Sequence, residues 1–212
     1  MDFKKNVFVN CPFDEEYIGL LRPLLFTVIY LGFTPRIALE ALDSGSPRVE
    51  KITKLVRESK YGIHDLSRLK AKRKGEFFRL NMPFELGLDV GCRMYGAGKL
   101  KSKRCLILEE ENYRYQAAIS DISNSDIATH SAEPERIVTE VRNWLAPNMR
   151  KRPKGPAAVW GAYIDFMGKN YDDLVALGYS KRDVELLPVN ELMEDMEEWV
   201  SKTHTSQISG LP

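Results

Sequence analysis

Three short stretches carry side chains able to do chemistry: 10-NCPFD-14, 63-IHDLS-67 and 81-NMPFELGLDVG-91. The third holds a glutamate, Glu85, at the opening of an otherwise apolar segment with glycines at Gly87 and Gly91. With Phe84 as reference on a helical period, Gly87, Leu88, Val90, Gly91, Met94 and Tyr95 fall in one apolar arc. Glu85 and Asp89 fall outside it, on the same side. Each glycine costs roughly 1 kcal/mol of helix propensity, so close packing is expected there. Glu85 is thus expected in the first turn of a tightly docked helix, where burial and the helix dipole pull its pKa in opposite directions. A carboxylate so placed is able to stabilise an oxocarbenium-like sugar centre or attack it. The plain alternative is a first-turn glutamate favoured by charge alone.

In 10-NCPFD-14, the small Cys11 and the constrained Pro12 suit a loop whose main-chain amides face a phosphate. Asp14 either caps the next helix or accepts a ribose hydroxyl. His64 and Asp65 are adjacent, and neighbours on a strand point to opposite faces, so only one of them faces a site. Asp65 is the candidate polar ligand, His64 reads as satisfied locally, and Ser67 either caps a turn or joins the ligand contacts. With only His64, His130 and His204 in the chain, no histidine metal cluster is expected. The chain has neither a G-x-G-x-x-G after its first strand nor a Walker phosphate loop.

The elements that must position these groups read as alternating short strands and longer helices. Strands are expected at Asn6 to Asn10, Phe33 to Glu40, Tyr61 to Leu66, residues 104–110 and, weakly, near Ile127. Helices are expected at Tyr17 to Tyr30 (bent or restarted at Pro23), Ser44 to Ser59, Pro83 to Tyr95, Tyr113 to Ile119 and Pro134 to Leu145. The basic stretch from Arg68 to Lys74, followed by Phe77 and Phe78, reads as an exposed loop or a phosphate-attracting flap. Such alternation implies an α/β fold, a flavodoxin-like parallel sheet with helices on both faces. Ligands of such sheets bind beyond the carboxyl ends of the strands, where all three stretches fall.

Residues 1–146 form the expected α/β domain and 147–158 a basic, proline-rich linker. A small helical appendage is expected over 159–200, in segments Val159 to Met167, Asp172 to Leu177 and Val184 to Val200, followed by a loose tail over 201–212. The formal charge of +1 gives no strong pull on nucleic acid or anionic lipid. Three scattered cysteines, Cys11, Cys92 and Cys105, argue against a zinc site or a disulfide framework. No apolar run reaches membrane-spanning length, and a cytoplasmic location is the expectation.

The motifs VFVNCPFDEEY, YGIHDLS and NMPFELG together resemble those of bacterial TIR-like nucleotide-binding proteins, a group related to nucleoside 2-deoxyribosyltransferases and NAD-cleaving TIR domains. The resemblance spans about residues 6 to 146. It implies a TIR-like fold, with Glu85 of 85-ELG-87 as the catalytic carboxylate at the sugar C1 carbon. It also implies Asp65 as the residue that holds sugar or orients the glutamate. Asn10, Cys11, Pro12, Phe13 and Asp14 are then the ligand loop, with Ser67 and Asn81 as further contacts. The departures are 65-DLSR-68 in place of an Asp-x-Arg element, and Asn81 and Pro83 where TIR enzymes carry serine or cysteine before the glutamate. The implied activity is hydrolysis or transfer at the N-glycosidic bond of a nucleotide, most concretely NAD, in a bacterial defence setting. NAD or another nucleotide would be substrate or ligand, with no true cofactor and no metal. A homo-oligomer is expected, with the C-terminal helices open to a protein partner. A non-catalytic nucleotide sensor and a purely structural protein are the competing readings.

Overall fold

The computed structural model describes residues 2–40, 45, 47–68, 80–111, 119 and 127–209, with side chains through His204. Five strands form a single sheet: β1 (Asn6–Asn10), β2 (Thr34–Ile37), β3 (Tyr61–Asp65), β4 (Arg104–Glu109) and β5 (Ile127–Thr129). All neighbours are parallel, in the order β2-β1-β3-β4-β5. This is an α/β fold with the strand order of flavodoxin-like sheets. Every residue of β1 and β3 is buried, as a parallel sheet covered on both faces requires.

The helices are α1 (Ile18–Tyr30), α2 (Arg48–Glu58), α3 (Asn81–Tyr95), α4 (Pro134–Leu145), α5 (Pro156–Ala176), α6 (Lys181–Glu185) and α7 (Val189–Ser209). Strand alternation sorts the core between the two faces. Val7 and Val9 of β1 join the cluster built with α1 and α4, whereas Phe8 packs with Ile52, Leu55 and Val56 of α2. A third cluster, Leu66, Met82, Leu86 and Ile107, seats α3 against the sheet. The chain steps from β1 to β2 in one direction and then crosses to β3 on the other side. The crevice between the carboxyl ends of β1 and β3 is therefore the topological switch point. Asn10 and His64 are register partners there.

Several boundaries differ from the sequence reading. The second strand ends at Ile37 and passes into a single 3-10 turn over Ala38–Glu40. There the Glu40 carboxylate accepts from the Ile37 amide at 2.7 Å, which ends the extended run. α1 runs through Pro23 without restarting. Pro23 lacks the amide hydrogen for one ladder bond near the helix start, and packing of α1 in the core offsets that loss. The stretches 41–44, 69–79 and 112–118 lie outside the described residues, and with them the basic loop beyond Arg68, Phe77, Phe78 and most of the helix expected at Tyr113 to Ile119.

The largest correction concerns α3. It begins at Asn81, so Glu85 lies in its second turn. Its buried face is Met82, Glu85, Leu86 and Asp89, and Phe84, Met94 and Tyr95 are exposed. The expected apolar arc is therefore split: Phe84, Met94 and Tyr95 point outward, Leu88 and Val90 are half-buried against the core clusters, and Gly87 has open space around it rather than a packed neighbour. The helix is turned by what lies beneath it, a buried lysine and a histidine that bond to Asp89.

At the C-terminus the first two expected segments are one helix, α5, which continues through Gly168 because Tyr163, Phe166 and Leu174 keep one face buried. α7 extends to Ser209, well past the expected end at Val200. The Thr203 hydroxyl bonds the Trp199 carbonyl and the Tyr30 ring meets His204, so the polar stretch is held by contacts that a search for apolar spacing misses. α5 and α7 pack on α1, where Phe26 meets Tyr163, Phe166 and Trp199 with ring centroids 5.5–5.8 Å apart. Val159, Phe166 and Met196 thus share one apolar core with α1 and α4. No helix among the described residues is long and apolar enough to cross a membrane.

Candidate functional site

A cavity of about 330 Å³ opens at the switch point, lined by Asn10, Cys11, Pro12, Phe13, Leu39, Arg48, Asn81, Met82 and Glu85. The loop after β1, the turn after β2 and the N-terminal ends of α2 and α3 build it. Two larger hollows lie elsewhere, one of about 440 Å³ along α2 and one of about 370 Å³ between α2 and α3. Of the three, only the switch-point cavity is lined by buried acidic and amide side chains, which makes it the candidate site.

Glu85 is 5 % exposed, and among the described residues its carboxylate makes no hydrogen bond or ion pair. Burial pushes its pKa from the ordinary 4.5 up to about 7, and the Arg48 guanidinium, beyond ion-pair distance, pulls the other way. A buried carboxyl without a partner is unstable as an ion and poised to exchange a proton near neutrality. Cys11 has the opposite character. Burial and the nearby Asp65, Glu85 and Asp14 carboxylates push its thiol well above the ordinary value, so it stays protonated and lines the loop as a small apolar group.

Beneath the cavity runs a fully buried polar chain. Lys103 Nζ donates to the Val56 carbonyl at 2.7 Å and to that of Ser59, and it lies 3.0 Å from Asp89 Oδ1. That carboxylate oxygen lacks a hydrogen bond of good angle, so the ammonium holds it chiefly as an ion pair. Asp89 Oδ2 meets His64 Nε2 at 2.9 Å, and His64 Nδ1 meets Asn10 Nδ2 at 3.0 Å. The same Asn10 nitrogen donates to the Met82 carbonyl at 2.9 Å. Burial raises the Asp89 pKa, but the bonds from His64 and Lys103 outweigh it and hold the carboxyl below the ordinary range. Gly62 makes room, since a Cβ there would lie 2.1 Å from Asp89 Oδ2.

His64, Asp89 and Cys105 bring their donor atoms within 4.8 Å of one another. They do not suit a metal ion. Lys103 already neutralises the carboxylate, the hydrogen on Nε2 occupies the histidine's lone-pair position, and burial pushes the Cys105 thiol up to about 12.

A second buried network surrounds Asp65, which is fully buried and does not line the cavity. It accepts from the Tyr17 hydroxyl, from the Ser67 amide at 2.8 Å and from His130 Nε2 at 3.0 Å. Burial raises its pKa, but these bonds outweigh that and leave it lowered. Ser67 Oγ also meets His130 Nε2, at 2.9 Å. The grouping of serine, histidine and aspartate is not a nucleophilic triad, because both oxygens compete for one ring nitrogen. Nδ1 instead accepts the Ala132 amide at 3.0 Å. Ser131 and Ala132 are both left-handed, φ 52° and 56°, to bring that amide round.

The structure thus gathers Asn10, Cys11, Pro12, Phe13, Asn81 and Glu85 around one cavity and sets Asp65 and Ser67 in the network beside it. Asp14 accepts from the Tyr17 amide at 3.0 Å and from Arg68 at 3.1 Å, which ties down the turn before α1 without capping the helix itself. Sequence reading missed Arg48, Lys103, Tyr17 and His130 as members of these arrangements. Only Asp89, four residues after Glu85, left a signal.

These features define a parallel α/β protein with a partly enclosed cavity at its switch point, whose wall carries one carboxyl, Glu85, and one guanidinium, Arg48. No model of a known protein family matches the chain, and no curated protein matches it.

Proposed function

We propose that the chain hydrolyses or transfers the N-glycosidic bond of a nucleotide, NAD foremost, with Glu85 as the catalytic carboxylate. One observation carries this reading: Glu85 is buried, unpaired and set in the wall of the switch-point cavity. Bond cleavage develops positive charge on the sugar carbon, and an adjacent carboxylate shielded from water stabilises that charge or captures it covalently. A pKa near 7 suits the task. The cationic nicotinamide ring, on binding, favours the ionised form, and the ring leaves neutral, so no strong acid is needed. The cavity volume of about 330 Å³ is at the small end for ligand sites and suits one nucleoside half rather than a whole dinucleotide. Asp65 orients the wall through Tyr17 and the turn at Ser67. A bacterial defence role is implied by likeness alone.

The test is incubation of the full chain with NAD, ATP and a panel of deoxynucleosides, at low and high protein concentration, followed by chromatography. Release of nicotinamide or a free base, abolished in Glu85→Gln, is expected. Ligand returned unchanged at both concentrations would replace this reading with that of a nucleotide sensor. The scarcity of acids in the cavity already favours that alternative for ligands whose leaving group must be protonated.

A further inference from the structure

The buried chain below the cavity fixes the orientation of the Asn10 amide. The Met82 carbonyl can only accept, so the Asn10 atom 2.9 Å from it is the amide nitrogen. That nitrogen's other hydrogen points to His64 Nδ1 at 3.0 Å, which must then be the ring's bare nitrogen. The ring hydrogen sits on Nε2, directed at Asp89 Oδ2, and Lys103 holds Asp89 ionised from the far side. Both Asn10 hydrogens are spent on the protein. Its oxygen has no partner among the described residues and is not sealed from solvent, although the residue as a whole is 2 % exposed and lines the cavity.

We propose that Lys103, Asp89 and His64 are positioning residues that lock Asn10 with its oxygen toward the cavity, so that the site takes a nucleotide presenting a sugar hydroxyl there, beside Glu85. A reversed amide would set oxygen against the Met82 carbonyl and nitrogen toward the ligand, and the site would then ask for an acceptor. The fixed orientation instead provides two acceptors, the Asn10 oxygen and the Glu85 carboxylate, which match the donors of a ribose edge. Gly62 serves the same arrangement, since any side chain there would displace Asp89 and His64 together. The identity of the donor rests on the nucleotide reading above, whereas the amide orientation does not.

The test has two arms on the full chain. Nitrogen NMR of the wild type is expected to show His64 protonated at Nε2 and bare at Nδ1, with Asn10 amide protons slow to exchange with solvent. Asp89→Asn is expected to mix the two histidine tautomers and speed that exchange. A protonated Nδ1, or rapidly exchanging Asn10 protons in the wild type, would overturn the lock even if the variant does not fold. In the second arm, adenosine 5′-monophosphate and its 2′-deoxy and 3′-deoxy analogues are titrated by calorimetry. The analogue lacking the hydroxyl read by Asn10 is expected to bind roughly ten- to hundredfold more weakly, with the difference erased in Asn10→Ala. Equal affinity for all three nucleotides, or binding of none, would overturn the donor assignment. Discrimination without glycosidic cleavage would remove the proposed reaction and leave this inference standing. Cleavage without discrimination would do the reverse.

Discussion

Two successive turns of α3 each bury one carboxylate, and they treat it oppositely. Asp89 has an ammonium on one oxygen and an imidazole on the other, and its pKa is lowered. Glu85, four residues earlier on the same buried face, has no bonded partner among the described residues, and its pKa rises to about 7. Backbone geometry and helix are shared, so the contrast comes from what lies opposite. Asp89 faces β3 and Lys103, which set an imidazole and a counter-ion against its charge, whereas Glu85 faces a cavity. A paired buried carboxylate fastens the fold. An unpaired one costs stability and is the group to suspect of function.

The contrast breaks most sharply at Asp89. Asp89→Ala leaves the Lys103 ammonium buried without its counter-ion and removes the partner of His64. It is expected to lower unfolding free energy by about 3–5 kcal/mol, measured by urea denaturation at neutral pH. Glu85→Ala under the same conditions should cost far less, since it breaks no bond. Equal losses at the two positions would mean that Glu85 has a partner after all. Next in size is Gly62→Ala, whose added methyl would lie 2.1 Å from Asp89 Oδ2 and 2.7 Å from His64 Nε2. A cost of about 1–3 kcal/mol is expected, as for overpacking a tight core.

Legibility in the sequence followed the same divide. The strands, α4 and the parallel sheet were readable because period and turn signals reflect burial of apolar groups. β1 and the exact span of α4 needed nothing more. The facing of α3 was not readable. Phe84, Met94 and Tyr95 of the expected arc lie outside, Leu88 and Val90 are only half-buried, and the two acids lie inside. A moment computed from hydrophobicity sees Asp89 as a surface residue, because its partners, Lys103 and His64, come from 14 and 25 positions away. Arg48 was missed for a similar reason: nothing in 47-PRVE-50 shows that the start of α2 borders the loop after β1. Glu85 was singled out by both its motif and its place off the apolar arc, but neither showed that it would be buried on the inner face of the second turn.

The Asp65 network offers a second paired carboxylate and extends the comparison across the sheet. Tyr17→Phe removes one of its donors and leaves the Ser67 and His130 bonds in place. A loss of roughly 1–2 kcal/mol is expected from thermal or urea unfolding at pH 7. Its pH dependence should carry the sign of a lowered carboxyl pKa. The stabilisation from Asp65 is complete above the unfolded chain's carboxylate range and fades as pH falls through the lower folded value. The wild-type advantage over Tyr17→Phe should therefore shrink only in acid, and an advantage that vanishes between pH 6 and 8 would place the titrating group elsewhere.

Glu85 should show the opposite sign, in a different window. Below the ordinary value of 4.5 the carboxyl is protonated in both folded and unfolded chains, and it contributes nothing that depends on pH. Between there and about 7 the folded chain keeps a proton that the unfolded chain releases, so each step upward in pH favours unfolding. Above about 7 both forms are ionised and the penalty levels off. Glu85→Gln keeps the shape and cannot ionise. It should match the wild type near pH 4 and exceed it at pH 8 by roughly 1–2 kcal/mol, once screening by water in the open cavity is allowed for. Chemical denaturation of both proteins at half-unit pH intervals measures the difference. A wild type that is the more stable at pH 8 would show that the carboxylate is paired when ionised. Glu85 would then belong with Asp89, as a fastening of the fold and not its reactive group.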